Sequence, residues 1–376
     1  MSLPSLPSLP PAVYIAGLVS LSVALLLVLT QRWHGRFSMD GLKGVQKMHT
    51  TPTPRIGGIA IFVGVMASWF VAPADVARIL GALAWAGLPA FAFGLAEDLT
   101  KQVSMGLRLL ATMASGVLGW WITGYSLTSV DVPLIDTLLL WAPASVLFTA
   151  FAVGGVANAV NIIDGFNGLA SGFVILGFFG LGTIAGLHSD ASLCVACFAL
   201  AAAMIGFWLV NWPWGKIFLG DGGSYFGGFA LAWASVMLVE RNSEITPFAA
   251  LLICIHPITE VLFSILRRRL KKMHPGHPDR LHLHSLIMRR VVSHALLRLN
   301  GGDYKQMIRM RNPATGLAIA LLSIPSVFTA IWLAETSGLA AGASMIFVVG
   351  YVAIYVRLVR FRWTSPVCFL WRSVLR

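Results

Sequence analysis

The sequence predicts an all-α integral membrane protein of about eleven transmembrane helices, with its N-terminus outside and its C-terminus in the cytoplasm. Three observations carry this. Apolar residues make up 57% of the 376 residues and charged ones only 11%, a balance outside the range of a soluble domain. Apolar runs of about 20 residues, the length that crosses a hydrocarbon core, recur at 12–31, 56–73, 78–95, 105–124, 134–156, 168–187, 191–210, 222–239, 245–266, 313–333 and 338–357. With the N-terminus outside, 25 of the 27 Lys and Arg residues fall on inner segments, leaving only Arg78 and Arg241 elsewhere. That is the positive-inside distribution.

Taken in order, the first run, Val13–Leu29, follows a Pro/Ser repeat with no basic region. It leads into Arg32 and Arg36 without a small-residue cleavage site, so it reads as a retained helix rather than a signal peptide. Residues 1–376 form a single polytopic domain, interrupted by one long basic cytoplasmic loop, 267–312, and closed by a basic cytoplasmic tail, 357–376. The formal charge of +12 follows from this topology. It marks the cytoplasmic face and suits anionic membrane lipids or phosphorylated substrates; it is not a nucleic-acid signature. The four cysteines form no disulfide framework, and Cys194 and Cys197 sit inside an apolar run as packing residues. No internal repeat is visible, which argues against an inverted-repeat transporter. The outer loops are short, and every unusual loop is cytoplasmic.

Five inner stretches carry polar residues that a lipid-facing backbone would not tolerate. The first, Lys47-Met-His49-Thr-Thr-Pro-Thr-Pro-Arg55-Ile-Gly-Gly, sets three cations on an extended, proline-stiffened approach to a helix; a plain basic anchor explains it about as well. The second holds the adjacent acids Glu97 and Asp98, followed by Lys101 and Arg108. Paired carboxylates attract a divalent cation or serve proton transfer. In the third, Asn158, Asn161, Asp164 and Asn167 crowd between two apolar runs, where amides can read a base or sugar. Asn167-Gly168 also reads simply as a turn before the next helix.

The fourth stretch runs from Asn211 through Phe218 to Gly220-Asp221-Gly222-Gly223-Ser224. A carboxylate bracketed by glycines at a helix start suits a cation on Asp221 and phosphate oxygens on free N–H groups. Phe218 offers a stacking surface for a base, or an apolar anchor. The fifth, Arg280-Leu-His282-Leu-His284-Ser285, alternates like an extended edge leading into a helix from Leu286, with His274 and His277 upstream. The spacing fits no usual zinc pattern, so phosphate contact or solvation is the better reading.

Together the runs Thr-Pro-Arg-x-Gly-Gly, the acid pair, Asn-Ala-x-Asn-x-x-Asp-Gly, Phe-Leu-Gly-Asp-x-Gly-Ser and Asp-Arg-x-His-x-His resemble the polyprenyl-phosphate N-acetylhexosamine-1-phosphate transferases, in their order and topology. The likeness covers 12–357 and favours the WecA/TagO branch over MraY, whose loop carries a histidine triplet. It implies transfer of a sugar-1-phosphate from a UDP-N-acetylhexosamine, with UDP-GlcNAc the first choice, to undecaprenyl phosphate, with release of UMP. It further implies Mg²⁺ (or Mn²⁺) on Asp221 with Asp98, and catalytic roles for Glu97, Asp98, Asp221 and His282. Uridine contacts fall to Asp164, Asn167, Asn211 and Phe218, and the pyrophosphate to Arg280, His282 and His284. Lys47 or Arg108 positions the lipid phosphate, and a homodimer in the inner membrane is compatible. Three positions depart from the pattern: Glu97 replaces an aspartate, Asn167 an acid, and Ser285 a histidine. The competing readings are an MraY-type enzyme using UDP-MurNAc-pentapeptide and a flippase of a phosphorylated solute.

Overall fold

The computed structural model describes residues 10–40, 52–270, 272 and 281–360. Lys47, His49, Arg280, His274 and His277 lie outside the described residues. The chain opens with α1 (Pro11–Leu29) and the short α2 (Gln31–Ser38). A two-residue strand, β1 (Met39–Asp40), then pairs antiparallel with β2 (Thr53–Pro54), Met39 opposite Pro54. Helices α3 (Gly57–Val71), α4 (Ala74–Ala86), α5 (Leu88–Thr100), α6 (Met105–Thr123), α7 (Pro133–Leu139) and α8 (Ala142–Ile163) follow. After them come α9 (Leu169–Leu187), α10 (Ala191–Asn211), α11 (Gly220–Arg241) and α12 (Pro247–Leu270). The remainder is α13 (Leu283–Ile287), a π-helical turn over Met288–Val292, α14 (Ser293–Leu299), α15 (Tyr304–Leu321), α16 (Ile324–Trp332) and α17 (Ser337–Val359).

Nine helical stretches among the described residues are long and apolar enough to cross a bilayer, counting Tyr304–Trp332 as one. The apolar run at 78–95 is instead a pair, α4 and α5, bent by 45° at Gly87. The run at 56–73 gives the 15-residue α3, about 22 Å long at the rise of an α-helix and so short of a full crossing. The eleven expected spans therefore resolve into nine full helices, one broken span and one short helix. Proline sets several of the breaks: Pro89, Pro143 and Pro325 each stand in the first turn of α5, α8 and α16. There the missing N–H removes no helical bond, whereas the preceding helix cannot continue through the ring.

The stretch 281–299 differs from the extended edge expected around His282. Helix begins at Leu283, with His282 as its N-cap residue, and continues through the π-turn to Leu299. The physical reason is packing. Leu286 and Ile287 follow Leu283 by three and four residues, and with Met288 they bury one face against Phe166, Leu169, Ile319 and Tyr351. This part of the basic loop folds onto the helix bundle rather than standing in water.

Helix α11 is the axis: 94% of its most apolar stretch is buried within the protein. It packs on α8, α5, α3 and α9. Glycines let the backbones meet where the site is built. A Cβ on Gly94 of α5 would lie 2.6 Å from the carbonyl of Asp221, and one on Gly58 of α3 would run into Gly222 and Gly223.

This contact makes a paired prediction. Gly94→Ala should force α5 off α11 and lower stability by about 1–3 kcal/mol, the usual cost of overpacking. Gly155 of α8 has open space where its Cβ would go, so Gly155→Ala should be neutral or raise stability by about 0.5–1 kcal/mol. Thermal melting of both variants in detergent checks the pair; equal behaviour would show that the Gly94 contact is not tight.

Candidate active site

Gly220, at φ +74°, turns the chain from Leu219 into α11. The place a side chain would fill there is taken by the Arg55 carbonyl and the Asp98 carboxylate, which explains the residue. Asp98, on the last turn of α5 and 1% exposed, accepts from the Asp221 N–H through Oδ1 and from the Gly222 N–H through Oδ2, both at 2.9 Å. A carboxylate at a helix N-terminus satisfies orphan donors and complements the dipole. Two of the α11 N–H groups expected to receive phosphate, those of Asp221 and Gly222, are thus already engaged. Asp98, expected as a metal ligand, is the clamp on this helix start.

The Asp221 carboxylate is held by side chains alone. Arg55 Nη2 donates to Oδ1 at 2.7 Å, Asn161 Nδ2 donates to Oδ1 at 3.1 Å, and Arg108 Nη1 donates to Oδ2. Arg55 also lies 3.3 Å from Asp98 and 3.9 Å from Asp40. Its segment is fixed by backbone pairing on both sides: Arg55 N to Ser38 O at 2.8 Å, Phe218 N to Pro54 O at 2.8 Å, and Gly57 N to Phe218 O at 3.0 Å. These bonds put the half-buried Phe218 beside the arginine. Asn161 Nδ2 also donates to Ser224 Oγ at 2.8 Å, tying α8 to the second turn of α11.

Other residues singled out from the sequence have structural partners. Glu97, one residue before Asp98, diverges from it and caps the α5–α6 turn, accepting from the Val103 N–H at 2.8 Å. Asn158 Nδ2 bridges Thr112 Oγ1 and Gly154 O at 2.9 and 2.8 Å, joining α8 to α6. Asn211 is buried and staples two loops: its Oδ1 accepts from Gly168 N at 2.6 Å and its Nδ2 donates to Ile217 O at 2.8 Å. Asn167 donates its N–H to Asn312 Oδ1 at 2.9 Å. Gly168, at φ +77°, fits beneath the stacked Trp208 and Trp212 rings. Asn158 and Asn211 thus build the floor of the site, while Asn161 enters the carboxylate cluster.

Asp164 follows α8 in the loop facing this cluster. Burial pushes its carboxyl up to about 7, opposed by Arg55 and reinforced by Asp221 and Asp98. His282 and His284 approach the same loop from α13. Their rings stack at 5.2 Å with 10° between planes, and His284 meets Phe166 edge-on at 5.4 Å. A Cβ on Gly165 would lie 3.5 Å from His284 Nε2. Both imidazoles are buried rather than solvated. Behind them, Glu260 of α12 accepts from His282 Nδ1 at 2.9 Å and from the Tyr351 hydroxyl at 2.8 Å.

Reasoning from sequence missed Glu260, Asn312 and Tyr351, and gave Ser224 only as the end of a motif, with no role. Glu260 carried a signal, since an acid inside the apolar run 245–266 is a functional-site flag by itself. A tyrosine and an asparagine in the interior of ordinary helices carry none.

The chemistry of the donors fits a hard divalent cation shared with a phosphorylated ligand. Mg²⁺ takes one or two carboxylates and completes its shell with water and phosphate oxygens, and Asp221 offers oxygens next to Asn161 and near Asp164. No cluster of three or more His, Cys, Asp or Glu arranged as a full protein cage occurs among the described residues. The two guanidiniums on Asp221 are planar phosphate binders, so an incoming cation and diphosphate could exchange partners with them.

Residues 79–239 match the model of Glycosyl transferase family 4. That span contains Asp98, Arg108, Asn161, Asp164 and Asp221. The chain is 31% identical over 249 residues, 65% of its length and 68% of the relative's, to an undecaprenyl-phosphate alpha-N-acetylglucosaminyl 1-phosphate transferase of Yersinia pestis. The protein of the same name from Escherichia coli K12 is 29% identical over 65% of this chain and 67% of its own. With the carboxylate–arginine cluster, apart from Arg55, lying inside the matched region, the chain belongs to Glycosyl transferase family 4.

Proposed function

We propose that the protein transfers N-acetylglucosamine 1-phosphate from UDP-N-acetylglucosamine to undecaprenyl phosphate, releasing UMP and starting a lipid-linked surface glycan. The observation that carries this reading is the convergence of Arg55 and Arg108, from separate elements, on Asp221 at one end of the helix bundle. Both substrates are phosphate anions, one of them fixed in the lipid, and they must meet where cations stand at the edge of the bilayer. The names of the relatives supply the sugar and the acceptor. The reading includes eleven crossings, with α4–α5 and α3 counted as spans, and an N-terminus outside. That orientation sets the Asp221 end at the cytoplasmic face of a bacterial inner membrane, in keeping with the distribution of Lys and Arg.

In the proposed reaction an oxygen of the lipid phosphate attacks the β-phosphorus of the donor. The bond from that phosphorus to the bridging oxygen breaks, and UMP leaves with the oxygen and its electron pair. Asp221 would hold Mg²⁺, or Mn²⁺, which when bound would supply charge neutralisation of the diphosphate and polarisation of its β-phosphorus. Arg55 and Arg108 release Asp221 and turn to the phosphates, with fork geometry that fits two oxygens at once. His282, His284 and Arg280 hold the diphosphate from the loop side, and Lys47 with His49 meets the lipid phosphate. Phe218 stacks on uracil, while Asp164 and Asn167 contact the uridine edge. The acceptor is already an oxyanion, so any remaining proton passes to Glu97, whose carboxylate is not committed to α11.

The direct test is UMP release from UDP-GlcNAc and undecaprenyl phosphate by purified protein in detergent, with UDP-GalNAc and UDP-MurNAc-pentapeptide as competitors. Absence of UMP from every donor would return the protein to the transporter class. Three variants refine the assignment. Asp221→Asn should lower kcat by at least about 10²-fold at saturating Mg²⁺, and should also lower the melting temperature, because it takes the carboxylate from Arg108; substantial residual activity would remove Asp221 from the metal site. Glu97→Gln keeps a side-chain oxygen for the Val103 N–H but cannot take a proton, and should cost about 10²- to 10⁴-fold. A rate near that of the parent would leave Glu97 as a cap only. For Phe218→Leu, the donor KM should rise to match a loss of about 1–3 kcal/mol of stacking, with the acceptor KM unchanged. An unaltered donor KM would make Phe218 an apolar anchor.

A further inference from the structure

Inside the bundle, Glu260 is an acid with no place in the transfer as drawn above. It lies ten residues before the end of α12 and is 1% exposed. Its partners come from two separate stretches of chain. Oε1 accepts from His282 Nδ1 at 2.9 Å and from the Leu283 N–H at 3.3 Å, and Oε2 accepts from the Tyr351 hydroxyl at 2.8 Å. As an ionised carboxylate Glu260 has acceptors only, so it accepts from the Leu283 N–H and the proton on the His282–Glu260 contact sits on Nδ1. A histidine's second nitrogen is defined by the bond its first one makes. With Nδ1 protonated, Nε2 is the atom left to accept a proton or, in the charged ring, to donate to a phosphate. The His284 ring stacks on His282 and abuts the Gly165–Phe166 loop. The orientation set at Glu260 therefore reaches both imidazoles and the loop that carries Asp164.

We infer that Glu260, braced by Tyr351, is a positioning residue that fixes the tautomer and ring orientation of His282, and through stacking that of His284, for the donor's diphosphate. The inference rests on the reading of His282 given above. It assigns the last membrane helix, α17, a part in the site through a single hydroxyl. It also accounts for a buried acid that costs several kcal/mol to desolvate unless it is fully hydrogen-bonded.

A double-mutant cycle with Glu260→Gln and His282→Asn tests this, reading kcat and both KM values in detergent. Glu260→Gln removes the charge but keeps the volume. It should lower kcat/KM for the donor by about 10- to 100-fold, the range seen when the carboxylate partner of a metal-bound histidine is lost, with the acceptor KM unchanged. In the His282→Asn background the same change should cost nothing further, because residues acting as one unit are non-additive. Tyr351→Phe deletes one oxygen, should give a smaller loss of the same kind, and carries the cycle if Glu260→Gln does not fold. A Glu260→Gln loss that persists in full in the His282→Asn protein, or a raised acceptor KM, would make Glu260 a general structural group and overturn the inference. Full activity of His282→Asn alone would instead overturn the reading of His282 itself.

Discussion

The site depends on one carboxylate on two backbone N–H groups. Asp98 sits in the last turn of α5 and caps the first turn of α11, so the end of one helix and the start of the next are locked at a fixed offset. That offset exists because glycines on α3, α5 and α11 leave no side chains between the backbones. Asp221 is the first residue after the cap's glycine, and its carboxylate direction is inherited from this junction. Moving α5 moves the cluster.

Burying charge at such a junction is unfavourable unless each group is paired and hydrogen-bonded. The protein meets this condition without substrate by setting Arg55 and Arg108 on Asp221 and Arg55 beside Asp98. Arg55 arrives on a strand-like run that pairs with the residues leading into α11, and Arg108 from the first turn of α6. Neither guanidinium belongs to the rigid three-helix contact, so both can exchange partners while the acids stay in place.

Much of this was legible in the chain. The apolar spans and the polar loops were visible because polar residues are costly in an apolar segment and stand out against it; the acids read from sequence as the neighbours Glu97 and Asp98, whereas Asp98 turns to the start of α11 and Glu97 to the α5–α6 turn. What could not be read was which polar group faces a ligand and which faces the protein. Asn158 and Asn211 have the same chemistry as Asn161, yet they join helices and loops, since an amide is recognised by its partners and not by its letter. The helix from Leu283 was hidden by a two-residue alternation of Leu and His, which the burial of Leu283, Leu286 and Ile287 overrode. Glu260 and Tyr351 meet across 91 residues, a separation no local pattern spans.

The two halves of the centre are written on different stretches of chain. The carboxylate half, apart from Arg55, lies within the family-matched residues 79–239, whereas Glu260, His282, His284 and Tyr351 follow it. Selection can therefore act on them as modules. The acids are bound to the helix junction that makes the bundle, so most drift there is lethal to the fold. The imidazoles hang from a short helix whose backbone is independent of that junction, and changes in its contacts leave the core assembled. Hybrid chains joined between residues 239 and 260 would keep the helix junction of one parent and the Glu260–His282–Tyr351 set of the other.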